Sequence, residues 1–299
     1  MKKTAVLHTD IGTDFDDNWA LTMMLLQKEW DLKLVLVDTG RVRYRAAAAA
    51  KILMACSRCD VEIGLAPEDD KVYDYNLNDT VREEDLKLFP GKVSENGIDR
   101  LIEIVRSSPE TVSLISIGPC GAIAQALEKA PEIAGKIDFT GMFGSIALAH
   151  EGAPGPIAEY NVVCNIPAAQ KVFSAPWHEA RLTPLDSCGQ IRIRGEEFQK
   201  LLHSDLPYLK LLMEQYRCWH KVIFDRPFED RSSVLFDAVT VHLASSTRFL
   251  DMHRLELIVD DAGFTREAPG GMPFDTATGF LDMPGFEKYL TGLLLGETE

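Results

Sequence analysis

Along the first sixty residues, short apolar runs alternate with longer helix-period ones, and turn residues mark the changes of period. Residues 4–10 form an apolar run of strand length, and an apolar helical stretch over 17–27 follows a turn at Gly12. Residues 32–38 (LKLVLVD) repeat the strand pattern up to Gly40. Residues 43–54 repeat the helical one, with alanine at every position from 46 to 50. Alanine is the strongest helix former, and its small side chain lets a helix lie close against a sheet. The order β-α-β-α is the signature of a parallel sheet with crossover helices. The same reading predicts strands over 61–65, 112–117, 137–143, 180–184 and 255–259. It predicts helices over 97–105, up to 130, over 195–202 and 206–224, after 236–237, and over 286–295. The stretch 67–95 is acidic and irregular, with Pro67, Pro90 and Gly91; a connection this long is usually functional or mobile. No repeat, low-complexity tract or linker divides residues 1–299. The predicted fold class is therefore a single α/β domain, a mostly parallel, Rossmann-like open sheet flanked by helices.

Composition narrows the possible partners. With 299 residues and 46% hydrophobic content, the chain can bury a full-sized core. Its net charge of −15, from 31 basic and 46 acidic residues, excludes the basic stripe that nucleic-acid binding requires. A small neutral molecule, or an anion held by a metal, fits better. No apolar segment approaches the roughly 20 residues that cross a bilayer. The start, MKKTAVLHTDIG, does not read as a secretory signal, so the expected location is cytoplasmic. Of the six cysteines, Cys56 and Cys59 have the CxxC spacing, but no second pair or histidine accompanies them. They read as reduced thiols of an intracellular protein.

The candidate chemistry lies in Val6–Leu21, where a strand ends in Asp10, Asp14, Asp16 and Asp17. Carboxylates at the carboxyl end of a strand lie where open α/β sheets bind ligands. Four such charges repel strongly unless a cation or substrate hydroxyls answer them. A hard divalent cation with oxygen ligands, Ca²⁺ or Mg²⁺, is the natural answer. Asp16 or Asp17 capping the helix is the alternative, but capping leaves Asp10 unexplained. The run lacks the alternating acids and twelfth-position Glu of an EF-hand. Asp10, at the strand end, is also not part of the Asp-x-Asp that an aspartyl phosphatase would want there, because His8 and Gly12 stand two places to either side of it.

The spacing Asp10-x-Gly12, then Asp16-Asp17 before an apolar helix, resembles the inosine-uridine-preferring nucleoside hydrolase family, which opens with Asp-x-Asp-x-Gly…Asp-Asp. His8 stands where that signature has its first Asp. Three later segments extend the likeness. Ile117-Gly118-Pro119 is similar to the family's Thr-Gly-Pro turn. Ala158-Glu159-Tyr160-Asn161, ahead of Pro167-Ala168-Ala169, is similar to its Ala-Glu-Phe-Asn segment. Phe236-Asp237 is similar to its His-Asp. Leu185-Asp186 matches a Leu-Asp pair read as structural. The family's Asn six places before the Glu falls at Ala153, and no histidine occurs between His8 and His150.

The resemblance implies Ca²⁺-dependent hydrolysis of a ribonucleoside to nucleobase and ribose, in nucleoside salvage. It implies metal ligation by Asp10, Asp17, Asp237 and the Ile117 carbonyl, with Asp10 as general base. Asp16, Glu159 and Asn161 would hold the ribose. The helix over 206–224, with Tyr216, Trp219 and His220, would lie beside the base, which makes His220 a possible leaving-group acid. His8 is expected to donate to Asp10 in place of the missing carboxylate. The partner is a small nucleoside, and the expected assembly is a homodimer or homotetramer. Because both family histidines are absent, two alternatives stand beside this reading. One is a hydrolytically weak or inactive ribosyl-compound binder. The other is a hydrolase of a different ribosyl substrate.

Overall fold

A computed structural model describes residues 2–69, 73–224 and 230–297. Its centre is a ten-stranded sheet in the order β4-β3-β2-β1-β5-β6-β7-β10-β8-β9. Seven strands, β1 (Lys3–Thr9), β2 (Trp30–Val37), β3 (Glu62–Leu65), β4 (Val93–Ser94), β5 (Val112–Ser116), β6 (Ile137–Gly141) and β7 (Glu179–Leu182), run parallel. Three follow at one edge: β8 (Leu250–Val259), β9 (Thr265–Glu267) and β10 (Met272–Phe280). β10 is parallel to β7 and antiparallel to β8, and β8 is antiparallel to β9. The middle strands are covered on both faces. Val6, Leu7, Leu114, Ile115 and Phe139 are fully buried, which is why these strands read as continuous apolar runs rather than alternating ones.

The helices, which include the short α5 (Tyr160–Val163), α6 (Ile166–Val172), α7 (Leu185–Cys188) and α8 (Gly195–Leu202), pack in connected groups. α1 (Asp16–Leu26) lies against α2 (Val42–Ala55), α9 (Pro207–Phe224), α10 (Phe236–Ser245) and α11 (Met283–Leu294), whereas α3 (Gly97–Ser107) packs on α4 (Gly121–Lys129). α2 shows why its alanines are there: Ala46 to Ala50 are all fully buried, with Trp19, Val35 and Leu53 in the same core. Neighbours this close leave no room for a longer side chain. At β3 the packing is tighter still, since a Cβ on Gly97 would lie 2.8 Å from the backbone of Gly64.

The predicted α/β domain with a mostly parallel sheet is the one observed, with element ends shifted by one or two residues at most boundaries. Two regions differ more, the 67–95 connection and the end of the chain, where β8 begins five residues and α11 three residues earlier than expected. The 67–95 connection carries a 3₁₀ turn, Glu83–Leu88, and the short strand β4. Part of it is pinned rather than loose: the backbone N–H of Asn76 donates to the Gly12 carbonyl at 3.0 Å, and that of Leu77 to the Tyr44 hydroxyl at 3.0 Å. The end of the chain holds β9 and β10, which local pattern did not separate from turns. β10 contains Pro273, Asp275 and Gly279, residues that strands disfavour; pairing with both β7 and β8 overrides them.

Ala48→Leu is expected to lower stability by about 1–3 kcal/mol through overpacking. A urea melt checks this, and an unchanged midpoint would show that α2 has slack.

Candidate active site

The strand order reverses between β2-β1 and β5-β6, so β1 and β5 flank the crevice where open sheets bind ligands. Asp10 is the first residue after β1, Ile117 follows β5 and Met142 follows β6. Gly118 lets the β5 turn close on the β1 end, because a Cβ there would lie 2.7 Å from both the backbone nitrogen and Oδ1 of Asp10. The β1–α1 loop turns at Gly12, whose φ of 106° is left-handed, with the Tyr44 ring packed against its open side. Asp16 and Asp17 are the first two residues of α1. The capping position is Phe15 and makes no side-chain cap bond, so neither carboxylate serves as the cap. Asp237 is likewise the second residue of α10, after an uncapped Leu235.

Folding brings these acids together. One carboxylate oxygen from each of Asp16, Asp17 and Asp237 lies within 4.8 Å of the others, and all three residues are buried. They line a cavity of about 340 Å³ that also takes in Asp10, Asp14, Ile117, Glu159 and Asn161. Its other wall is apolar, formed by Trp219, Ile223, Phe236 and Leu185, with Tyr160 and His150 beside them. Asp10, Asp16, Asp17, Glu159 and Asp237 are nearly inaccessible, whereas Asp14 is exposed and Tyr160 and Ile223 are 43% and 45% exposed. The acidic end is therefore the inner one.

Each polar side chain is held by its element. The Thr9 hydroxyl donates to Asp17 and accepts from the Ile11 N–H at 3.0 Å. Glu159 caps the short helix α5 (Tyr160–Val163), accepting from the backbone N–H groups of Asn161 at 2.8 Å and Val162 at 3.3 Å, and from that of Gly144 at 3.0 Å. The Asn161 amide donates to the carbonyls of Ile117 at 3.3 Å and Met142 at 3.1 Å. Its oxygen remains as the acceptor for a ligand hydroxyl. Asp186 accepts from the N–H groups of Ile146, Ala147 and Leu148 at 2.8, 2.8 and 3.1 Å. That carboxylate shapes the loop over the cavity, a structural duty.

Burial dominates the electrostatics. It raises the carboxyls of Asp16, Asp17 and Asp237 well above the usual range, and their mutual repulsion adds to the effect. Asp16 and Asp237 also share a side-chain hydrogen bond. Burial raises Asp10 too, with the Arg45 guanidinium the main opposing influence. Glu159 is pushed up to about 7, again mainly by burial. Arg45 was not singled out in the sequence, yet it is fully buried beside the acids. It donates to the carbonyls of Asp10, Ile11 (3.1 Å) and Thr39 (2.5 Å), and to the Thr13 hydroxyl (3.0 Å). It is one of three alternating arginines, with Arg41 and Arg43, ahead of five alanines, and local pattern does not set it apart from the other two. The residues present fit a divalent cation: clustered carboxylates with a backbone carbonyl in the same cavity form an all-oxygen donor set, the kind hard cations take.

One expectation needs correcting. His8 does not donate to Asp10; its ring pairs with the Ser116 hydroxyl at 2.9 Å and the Asp38 carboxylate at 3.2 Å. The β1 direction turns its side chain away from the cavity, and Asp38, at the end of β2, is the nearer anion. His220 is buried and packs on Tyr216 and Phe224, with ring centroids 6.0 and 5.0 Å away. It does not line the cavity, because on α9 the turn facing the ligand space carries Trp219 and Ile223. Sequence reasoning missed His150, Asn76 and Met142 as wall residues. The compact acid trio also contains Asp16 rather than Asp10, which lines the same cavity beside it.

Comparison with known proteins agrees with this geometry. The family described as inosine-uridine preferring nucleoside hydrolase matches residues 5–276. A probable uridine nucleosidase of Oryza sativa subsp. japonica is 26% identical over 132 residues, 43% of this chain and 40% of that protein. The inosine-uridine preferring nucleoside hydrolase of Crithidia fasciculata is 30% identical over 128 residues, 42% of this chain and 40% of that protein. The aligned part thus spans about two fifths of each curated relative. A plant nucleoside hydrolase structure superposes with a TM-score of 0.81 at 18% identity, covering 99% of both chains.

Raised carboxyl pKa values mean that the folded protein holds more protons than the unfolded chain. Stability without divalent cation therefore falls as pH rises from about 4 toward the folded-state values. Stripped protein should melt lower at pH 8 than at pH 5. A divalent cation at a hundred times its Kd should raise Tm by roughly 5 °C at pH 8 and by less at pH 5. Differential scanning fluorimetry reads both, and Asp237→Ala should remove most of the cation-dependent rise.

Proposed function

The chain belongs to the inosine-uridine preferring nucleoside hydrolase family, and on that premise we propose that it hydrolyses the N-glycosidic bond of a ribonucleoside, releasing nucleobase and ribose. What supports this reading is the meeting of Asp237 with Asp16 and Asp17, within 4.8 Å, at the buried end of a cavity whose other wall is aromatic. A sugar needs hydroxyl acceptors and a cationic partner; a nucleobase needs flat apolar walls. The cavity offers both ends of that ligand at once. We assign Asp10, Asp17, Asp237 and the Ile117 carbonyl to a Ca²⁺ ion. Calcium is preferred over magnesium because the oxygen donors are many and come from separate elements.

When bound, such a cation supplies Lewis acidity toward water and positive charge for vicinal hydroxyls. The chain's own groups do the rest. Asp10 accepts the proton of the attacking water as general base. Asp16, Glu159 and the Asn161 oxygen hold the ribose hydroxyls and orient the ring. Arg45, through the Asp10 carbonyl and its nearby charge, favours the ionised form of that base. Bond cleavage passes through an oxocarbenium-like state, and the fixed negative wall stabilises the positive charge that develops on the sugar. Trp219 and Phe236 stack on the base and keep water from it. The proposed setting is cytoplasmic nucleoside salvage by a homodimer or homotetramer, as the family resemblance implies.

Titration calorimetry with Ca²⁺, followed by a base-release assay across purine and pyrimidine nucleosides, tests this reading. Cation binding without release of any base would favour a ribosyl-compound binding protein. Asp10→Asn should lower kcat by about 10²–10⁴-fold, the usual weight of a general base. Wild-type turnover in that variant would remove Asp10 from the role.

A further inference from the structure

A nucleobase leaves as an anion unless it takes up a proton, and the residues assigned so far provide none at its end of the cavity. Phe236 precedes Asp237, and His220 lies outside the cavity wall. Among the described residues that line the cavity, His150 is the one histidine. Its ring stands edge-on to Phe236, with centroids 5.7 Å apart and planes at 83°. It therefore lies on the aromatic side, next to the residue that adjoins the distal acid.

The loop that carries His150 is tightly built. Glu151 holds a φ of 56°, a left-handed conformation that non-glycine residues rarely adopt. It is fixed there by its N–H donating to the Gly189 carbonyl at 3.0 Å and by the Arg192 guanidinium donating to its carboxylate at 2.7 Å. The Ala149 N–H donates to the Ala153 carbonyl at 2.8 Å, which closes the turn around His150. The preceding three residues hang from Asp186. These contacts fix the place of His150 at the cavity wall. Its exposed ring can also regain a proton from solvent.

Resting on the hydrolytic reading above, we propose that His150 donates a proton to the departing nucleobase. As the C1′–N bond breaks, its electron pair passes into the base ring, and a base nitrogen takes the proton from the protonated imidazole. Water forms the new C1′–O bond and gives its proton to Asp10. Solvent returns a proton to His150 and removes one from Asp10, so the sum is nucleoside plus water to base plus ribose.

The leaving group separates this role from a structural one, because p-nitrophenolate departs without a proton. The substrates are p-nitrophenyl β-D-ribofuranoside and whichever of inosine, guanosine, adenosine, uridine and cytidine the wild type cleaves fastest. His150→Gln and His150→Ala should lower kcat on the nucleoside by about 10²-fold or more, while kcat on the aryl riboside is little changed. Equal losses on both substrates, or no loss on the nucleoside, would overturn the assignment. A wild type that cleaves the aryl riboside but none of the nucleosides would overturn it too, with hydrolysis left standing. A wild type that cleaves neither would overturn the hydrolytic reading itself. The cation-dependent rise in Tm, unchanged in both variants, checks that the acidic end is intact.

Discussion

Repulsion among buried carboxylates at the carboxyl end of β1 is the constraint around which this molecule is arranged. Two unit charges 4 Å apart in a partly solvated protein interact by about 4 kcal/mol, and here Asp16, Asp17 and Asp237 converge within 4.8 Å with Asp10 beside them. Such an arrangement persists only where other groups answer it. Arg45 supplies a buried positive charge, Thr9 a hydroxyl donor, and a hydrogen bond joins Asp16 to Asp237. The all-oxygen donor set leaves the largest part of the compensation to a divalent cation.

The scaffold serves that cluster. Arg45 reaches the acids only because α2 lies close to the sheet, and α2 lies close because Ala46 to Ala50 carry no bulk. Gly118 has no side chain because the Asp10 backbone and carboxylate occupy the space a Cβ would fill. His8, where the family has a carboxylate, turns away to join Ser116 and Asp38. Asp38 in turn accepts from the Ala122 N–H of α4 at 2.6 Å. That network ties the ends of β1, β2 and β5 to the start of α4 without using any ligand-facing acid. It holds the β1 end in place from behind.

The two walls of the cavity match the two halves of a nucleoside. Charged and amide groups at the inner end suit a polyhydroxyl ring that becomes positive during cleavage, and the more exposed aromatic end suits a flat base. The roles proposed for the two residues follow the same division: Asp10 lines the cavity with the buried acids, and His150 lines it beside Phe236.

Much of this was readable from the chain alone. The alternation of strand and helix patterns over residues 4–54 specified a parallel α/β sheet, because a strand buried on both faces needs an uninterrupted apolar run. The clustering of Asp10, Asp16 and Asp17 around Gly12 marked the ligand end of the first strand, because that many charges cannot be buried without a counter-charge. Local pattern did not reach the rest. β10 carries weak strand residues and becomes a strand through its neighbours β7 and β8. Which histidine faces the ligand depends on the rotation of α9 and on the path of a loop pinned by Asp186, Gly189 and Arg192. Those are contacts between segments about forty residues apart or more distant, so that His150 rather than His220 lines the cavity is decided only in the folded chain. Sequence determined the elements and the composition of the acidic loop. Tertiary packing decided which side chains share the cavity, since direction and distance are properties of packed surfaces rather than of any one segment.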